Sequence, residues 1–494
     1  MFAKYKRLLL VLAAVGAATS ASAFALLGPY AAWQTTEIGY NPLDTDIGGP
    51  MNIGEEYRWN IKTIYYGYDE SFWNFFGPKG TNAIDRALTI LNALPPVSQM
   101  SSNLAEFPTD TTRPNYTAQA LGIMDLKSLT LSALLEEMGL ASAERYVWTL
   151  RSKQTVQNID YYTVVKRNFD PITWNYSSYV NGVLYEFAII DPVYQDPAPQ
   201  FADAIEFRAD GLSYGFNTVA SGIDDATTPS DLGDFRLHPG YFFTGLTRDD
   251  VGGLRYLYLP SNIQYESLSS NSVAGGSSSP WQPAGGTNAN GSNSVVSLAL
   301  RGGVDKITFK QVRYDSLVGV GYFQVETNTY TDFYYTNSVL KSQNIQRVVD
   351  QPDIVFAAAD LGLSDGVPIL FRRTDTSGWA NNDAINGSTT LDGPGVIQGS
   401  VFFTYSKLGP YMYGLQGYYP ADGASSAFST INSLAGFIWG SFDGTTNPPV
   451  VFPTDVSIQD LEWLVLQGGG SGGGSPFSIP RANITTNTTA TTTQ

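Results

Sequence analysis

Two rhythms of hydrophobic and polar positions run along the chain. From Leu126 to Leu140, apolar residues recur at spacings of three and four. Leu131, Leu134, Leu135 and Met138 then share one face of an amphipathic helix. Asp125 stands at the N-cap position, and Gly139 can end the helix in a left-handed turn. Gly80–Leu94 predicts a second helix, with Thr81 or Asn82 as cap, Ile84, Ala87, Leu88 and Leu91 on its face, and Pro95-Pro96 as its stop. A third is predicted after Thr247. There Asp249 and Asp250 occupy the first turn, where the helix dipole favours negative charge, and Val251, Leu254 and Tyr258 share a face. Period-two alternation predicts strands over 57–66, 161–166, 182–190 and 204–208, whereas residues 24–56 read as an irregular leader.

Beyond residue 260 the rhythm changes. Residues 261–294 are rich in Ser, Gly and Asn and read as a flexible linker. Short β runs follow at 295–300, 306–310, 321–326, 353–356, 368–372 and 399–405, separated by Gly, Asn and Asp without a long helical pattern. The expected architecture is an α+β N-terminal domain over 24–260, carrying a β insertion at about 143–236, and then an all-β sandwich-like domain over 295–467. Residues 468–494, a Gly/Ser stretch and a Thr-rich end, read as a flexible tail.

The helix at 126–140 and the segment from Leu237 to Tyr258 together resemble the matrixin zinc proteases. The matrixin helix reads His-Glu-x-x-His-x-x-Gly-Leu-x-His. Aligned on Gly139-Leu140, the three ligand positions become Ser132, Glu136 and Ser142, and the general-base position becomes Ala133. Matrixins close with a Met-x-Pro turn and a Leu-Ser-x-Asp-Asp-Ile-x-Gly helix, which Thr247, Asp249, Asp250, Val251 and Gly253 match in place, while Leu237 replaces the methionine. A strand followed by a helix, as at 57–94, also opens a matrixin domain. The resemblance implies a zincin-like fold emptied of its zinc site.

Residue counts sharpen that reading. The chain has one histidine, His238, and no cysteine, too few imidazole and thiol groups for a His-rich or thiolate zinc cage. A basic stretch with Lys4, Lys6 and Arg7, an apolar run over 8–18 and the small-residue site Ala21-Ser22-Ala23 predict a secretory leader over 1–23, cut before Phe24. Its removal makes a formal charge of −17 more negative still, which argues against nucleic acid as a partner. No stretch is apolar for long enough to span a bilayer.

Other candidate chemistry is sparse. Gly211–Gly215 spells a Gly-x-Ser-x-Gly elbow around Ser213, for which His238 is the only available imidazole base. Asp350, Asp353 and Asp360, with the Asp392-Gly393 and Asp443-Gly444 turns, leave calcium or a glycosidase carboxylate pair as candidates, although Asp-Gly is foremost a turn pair. Glu136 and Glu137 are expected on the polar face of their helix. No cofactor is expected. The chain therefore reads as a secreted, non-enzymatic structural or interaction protein of the cell surface or extracellular material, self-associating or binding other surface proteins. A carbohydrate-binding or carbohydrate-active protein is the alternative, suggested by 13% aromatic residues led by 30 tyrosines.

Overall fold

The computed structural model describes residues 22–28, 31–35, 49–190, 203–209, 218–223, 237–269, 271–275, 295–315, 322–323 and 325–359. Beyond these it describes 363–364, 367–368, 371–375, 379–381, 395–407, 438–445, 447–453 and 456–462. The chain is mixed α+β and rich in strand. The expected leader over 1–23, all but its last two residues, and the expected tail lie outside the described residues.

A five-stranded mixed sheet anchors the core. Thr63–Tyr68 lies between Thr308–Gln311 and Ile354–Ala359, parallel to both. Ile354–Ala359 pairs in parallel with Val401–Ser406, and Phe371–Asp375 closes the far edge antiparallel to it. Alternation sends Ile64, Tyr66 and Tyr68 to one face together with Ile354, Phe356, Val401, Phe403 and Tyr405, all buried in one hydrophobic cluster. The register sets Phe356 opposite Phe403, and their rings stack at 5.4 Å.

Two helices pack together in that cluster. The long helix, Glu70–Asn92, is capped by Asp69, whose Oδ1 accepts the Phe72 amide at 2.9 Å, and Gly77 (φ +58°) breaks it just before Pro78. The helix expected over Gly80–Leu94 thus starts ten residues earlier, because the break is carried by one glycine and both halves bury an aromatic or aliphatic stripe. The central helix, Leu126–Glu137, starts at Asp125 as expected, with the Ser128 amide donating to the carboxylate at 3.1 Å. Its amphipathic reading is corrected: every residue but Glu136 is buried, Lys127 and Glu137 included. Its polar side chains have protein partners instead of water. Lys127 Nζ donates to the Phe243 carbonyl at 2.6 Å, and the Thr130 hydroxyl meets the Tyr405 hydroxyl at 2.7 Å. Trp59 Nε1 donates to the Glu137 carbonyl at 2.8 Å and the Tyr258 hydroxyl to the Met138 carbonyl at 2.7 Å, filling acceptors that a helix end leaves open.

Three further expectations are corrected. The predicted strand over 57–66 is two strands, Tyr57–Arg58 and Thr63–Tyr68, which join different sheets. The presumed leader contributes a buried strand, Phe24–Gly28, paired with Gly49–Met51, Leu140–Ala141 and Asn168–Phe169. Strands from both sides of the predicted linker share sheets, and Gln264–Glu266 and Ser272–Ala274, inside that linker, are themselves strands. The boundary at 261–294 therefore does not separate two closed sets of strands. In the region of the predicted insertion, Thr149–Val156 and Ile159–Val165 form one antiparallel pair, and Val183–Ile190 with Asp203–Arg208 form another.

Gly139 holds the end of the central helix at φ +100°, and a Cβ there would lie 2.3 Å from the Tyr57 carbonyl. Gly139→Ala is expected to lower unfolding free energy by about 2–4 kcal/mol, from the left-handed backbone and the clash together. Urea denaturation followed by tryptophan fluorescence measures it.

Candidate functional site

The positions that align with the matrixin ligands make other contacts. Ser132 is buried, and its hydroxyl donates to the Val219 carbonyl at 2.5 Å. The Ser142 hydroxyl meets the Ser221 hydroxyl at 2.8 Å and accepts the Arg145 amide at 3.2 Å. Both serines thus converge on one short segment, Thr218–Ile223, whose last four residues form a 3-10 turn packed on the central helix. Ala133 lies in the apolar core, and Glu136 is half-buried in the last turn of the helix. Leu237, in the place of the matrixin methionine, is buried in the same core cluster.

Two carboxylates hold the segment in place. Asp250 accepts the Val219 amide on Oδ2 and the Ala220 amide on Oδ1, each at 3.0 Å. The same Oδ2 accepts the Thr247 amide at 2.8 Å, the reciprocal half of a capping box. Glu144 accepts the Thr218 amide at 2.5 Å, the Thr218 hydroxyl at 2.7 Å and the Ser221 hydroxyl. Burial pushes both carboxyls above their ordinary range, and the hydrogen bonds pull them partly back.

Asp249 points elsewhere. Its Oδ2 accepts the amides of Asn181 at 2.6 Å and Ala23 at 2.8 Å, and burial raises its carboxyl to about 7 against those two bonds. The two aspartates therefore do more than cap. Each ties remote chain segments to the first turn of the closing helix, Arg248–Tyr258. Sequence reasoning found the pair and missed its reach. It also missed Glu144, Thr218 and Ser221, because a polar residue in an unpatterned stretch gives no sign of what it will face.

The residues present do not fit a zinc ion. The hydroxyls of Ser132 and Ser142 point into protein hydrogen bonds, and Ala133 offers no donor atom. A small cavity remains nearby, lined by Phe24, Leu140, Thr218, Ala220, Asp249 and Asp250. Among the described residues no group of His, Asp and Glu is placed to hold a metal ion.

The remaining candidates are scattered. His238 is exposed in its turn, with its ring 6.5 Å from that of Tyr241, while Ser213 lies outside the described residues. Asp353 is buried and pairs with Arg347, its Oδ2 also accepting the Tyr65 amide at 2.8 Å, so it is a structural anchor. Asp443 sits in an exposed turn held by the Thr445 amide at 2.9 Å. Asp350 is exposed, and Asp360 and Asp392 lie outside the described residues.

Because the folded carboxyl of Glu144 titrates above its unfolded value, the folded state holds an extra proton in that window. Stability then falls as pH rises from the ordinary glutamate range to the raised value. Glu144→Gln should remove that slope, so that the destabilisation caused by the substitution shrinks as pH rises from 4 to 8. Urea unfolding of both proteins at the two pH values measures the difference. A gap that widens with pH contradicts the assignment.

No family model, curated protein or solved structure matches the chain.

Proposed function

We propose that this chain is a secreted, non-enzymatic structural or interaction protein built on a matrixin-like scaffold whose metal site has been filled by the chain itself. The observation that carries this reading is the pairing of Ser132 and Ser142 with Val219 and Ser221 across the face of the central helix. Hydrolysis by zinc needs three ligands, an open coordination position and a base beside the bound water. Here the equivalent positions hold two serines engaged with backbone and hydroxyl groups, an alanine and one half-buried glutamate. The scaffold half of the proposal is supported by packing: the strand Thr63–Tyr68, the long helix, the central helix and the closing helix all contribute to one core in the order the resemblance requires. The β-rich remainder supplies strands to the same core and faces for contact. Among the described residues no helix is long and apolar enough to cross a membrane.

A glycan-binding reading has one observation in its favour. Trp174, Tyr176 and Tyr179 are exposed within a single short stretch, where aromatic faces are available to stack on sugars. A glycan array loses signal on Trp174→Ala if that reading holds.

Purified protein should carry far less than one equivalent of zinc by elemental mass spectrometry. Chelator should leave its melting temperature within about 1 °C, and a peptide library should remain uncut. Stoichiometric zinc together with cleavage that chelator abolishes would return the chain to the peptidases.

A further inference from the structure

A second five-stranded sheet turns its charged side chains inward. Its strand order is Gln264–Glu266, Ala299–Arg301, Glu326–Thr336, Val339–Val349 and Ser272–Ala274, every pairing antiparallel. The face turned to the protein carries the charges. Glu266 pairs with Arg58 at 2.6 Å, Arg301 with Asp332 at 2.9 Å, and Arg347 with Asp353, all buried.

The opposite face carries none. Its register lines up Tyr265, Leu300, Tyr335 and Leu340 as one row across four strands. Phe333 with Ser342, Thr331 with Asn344, Thr329 with Gln346 and Thr327 with Val348 continue the same surface along the long hairpin. Phe333 and Leu340 are each 54% exposed and Leu300 41%. Ordinary antiparallel sheets bury the apolar face and wet the charged one. Here the ion pairs go inward beside Tyr334, Ile345 and Val349, and a contiguous uncharged surface of Tyr, Phe, Leu, Thr, Ser, Asn and Gln is left facing out, its exposed aromatic and leucine side chains of the kind that interfaces use.

We infer that this face is where a second copy of the chain packs, sheet on sheet. The inference rests on the reading of the chain as a contact protein and names its partner. Charge selects the occupant. A chain with formal charge −17 repels its own copies, and a basic partner would be recognised by an acidic surface. A face free of charge is one on which two equally acidic copies can meet without placing like charges opposite each other. Two such faces stack at about 10 Å, and an isologous pairing closes at two copies.

Sedimentation of the full chain over a concentration series tests this. The wild type should form a dimer whose dissociation constant changes little, or falls, as salt rises. The double variant Phe333→Glu with Leu340→Glu should weaken it by at least about a hundredfold, since charges facing each other across an interface cost several kcal/mol. Ile159→Glu, on a different exposed hairpin, should leave it unchanged. Circular dichroism checks that each variant is folded. Should the double variant misfold, Thr331→Glu places one charge at a polar position of the same face and should also dissociate the dimer. A wild type that stays monomeric at about 100 μM, or face variants that dimerise as the wild type does, overturns the inference. Absence of zinc and of peptidase activity would still stand in that case, leaving the contact reading with a different partner.

Discussion

Two buried carboxylates decide what the central helix can do. Asp250 takes donors from Val219, Ala220 and Thr247, and Glu144 takes donors from Thr218 and Ser221. A carboxylate removed from water is tolerated only when donors replace its hydration, and here each oxygen has them. The cost of breaking this arrangement is what fixes its position. Lifting residues 218–221 off the helix would strip Glu144 of the donors named above and leave Asp250 with Thr247 alone, in an apolar surrounding. It would also free Ser132 and Ser142 from the bonds that engage them. An open cleft at this place is therefore the expensive state, and the filled one is held by side chains on three separate stretches of chain.

Arg58 does the same for the larger assembly. Its guanidinium reaches Glu266 at 2.6 Å, the Leu257 carbonyl at 2.6 Å, the Asn262 carbonyl at 3.0 Å and the Arg301 carbonyl at 3.1 Å. One buried cation thus gathers the end of the closing helix and two strands of the second sheet. The Arg347–Asp353 pair likewise ties that sheet to the core, and the Arg301–Asp332 pair links two of its own strands on the buried face. Such pairs contribute little net stability against apolar replacements, but losing one partner is severe, so they favour a single register over its neighbours. Strands that the sequence assigns to two domains are locked into one structure by these pairs and by the mixed sheet they share.

Local features were legible because local chemistry produces them. Asp125 and Thr247 announce helix starts through side-chain acceptors, and Gly139 announces an end through a backbone angle that other residues resist. Strands at 182–190, 204–208 and 353–356 follow from alternation and β-branched content, the last running on to Ala359 in the structure. Pairing partners were not legible. Thr63–Tyr68 joins Ile354–Ala359 across nearly three hundred residues, and no periodicity carries that information. The central helix misled for another reason: Lys127, Ser128, Thr130, Ser132 and Glu137 look like a wet face in sequence, yet the structure buries them among protein partners. The scarcity of histidine could be read directly, because a residue count is the same in any register. That Ser132 and Ser142 engage residues 218–221 was not visible, since Thr218 and Ser221 matter only through what Glu144 places beside them.

Burial of polar groups beside apolar ones recurs at both scales. The central helix buries hydroxyls, an ammonium and a carboxylate where apolar residues would suffice, and the second sheet buries three arginine–carboxylate pairs while turning leucine, phenylalanine and threonine outward. Polar groups satisfied internally are unavailable for solvent-facing chemistry, because each would have to give up a fixed partner before it could bind a substrate atom. A surface from which charge has been withdrawn, in a chain otherwise crowded with acidic residues, gains what the interior gives up: it can be desolvated against another uncharged surface without leaving an ion unpaired. In this molecule the buried ion pairs and the uncharged outer face have one physical origin, the placement of ionic and hydroxyl groups inside the fold.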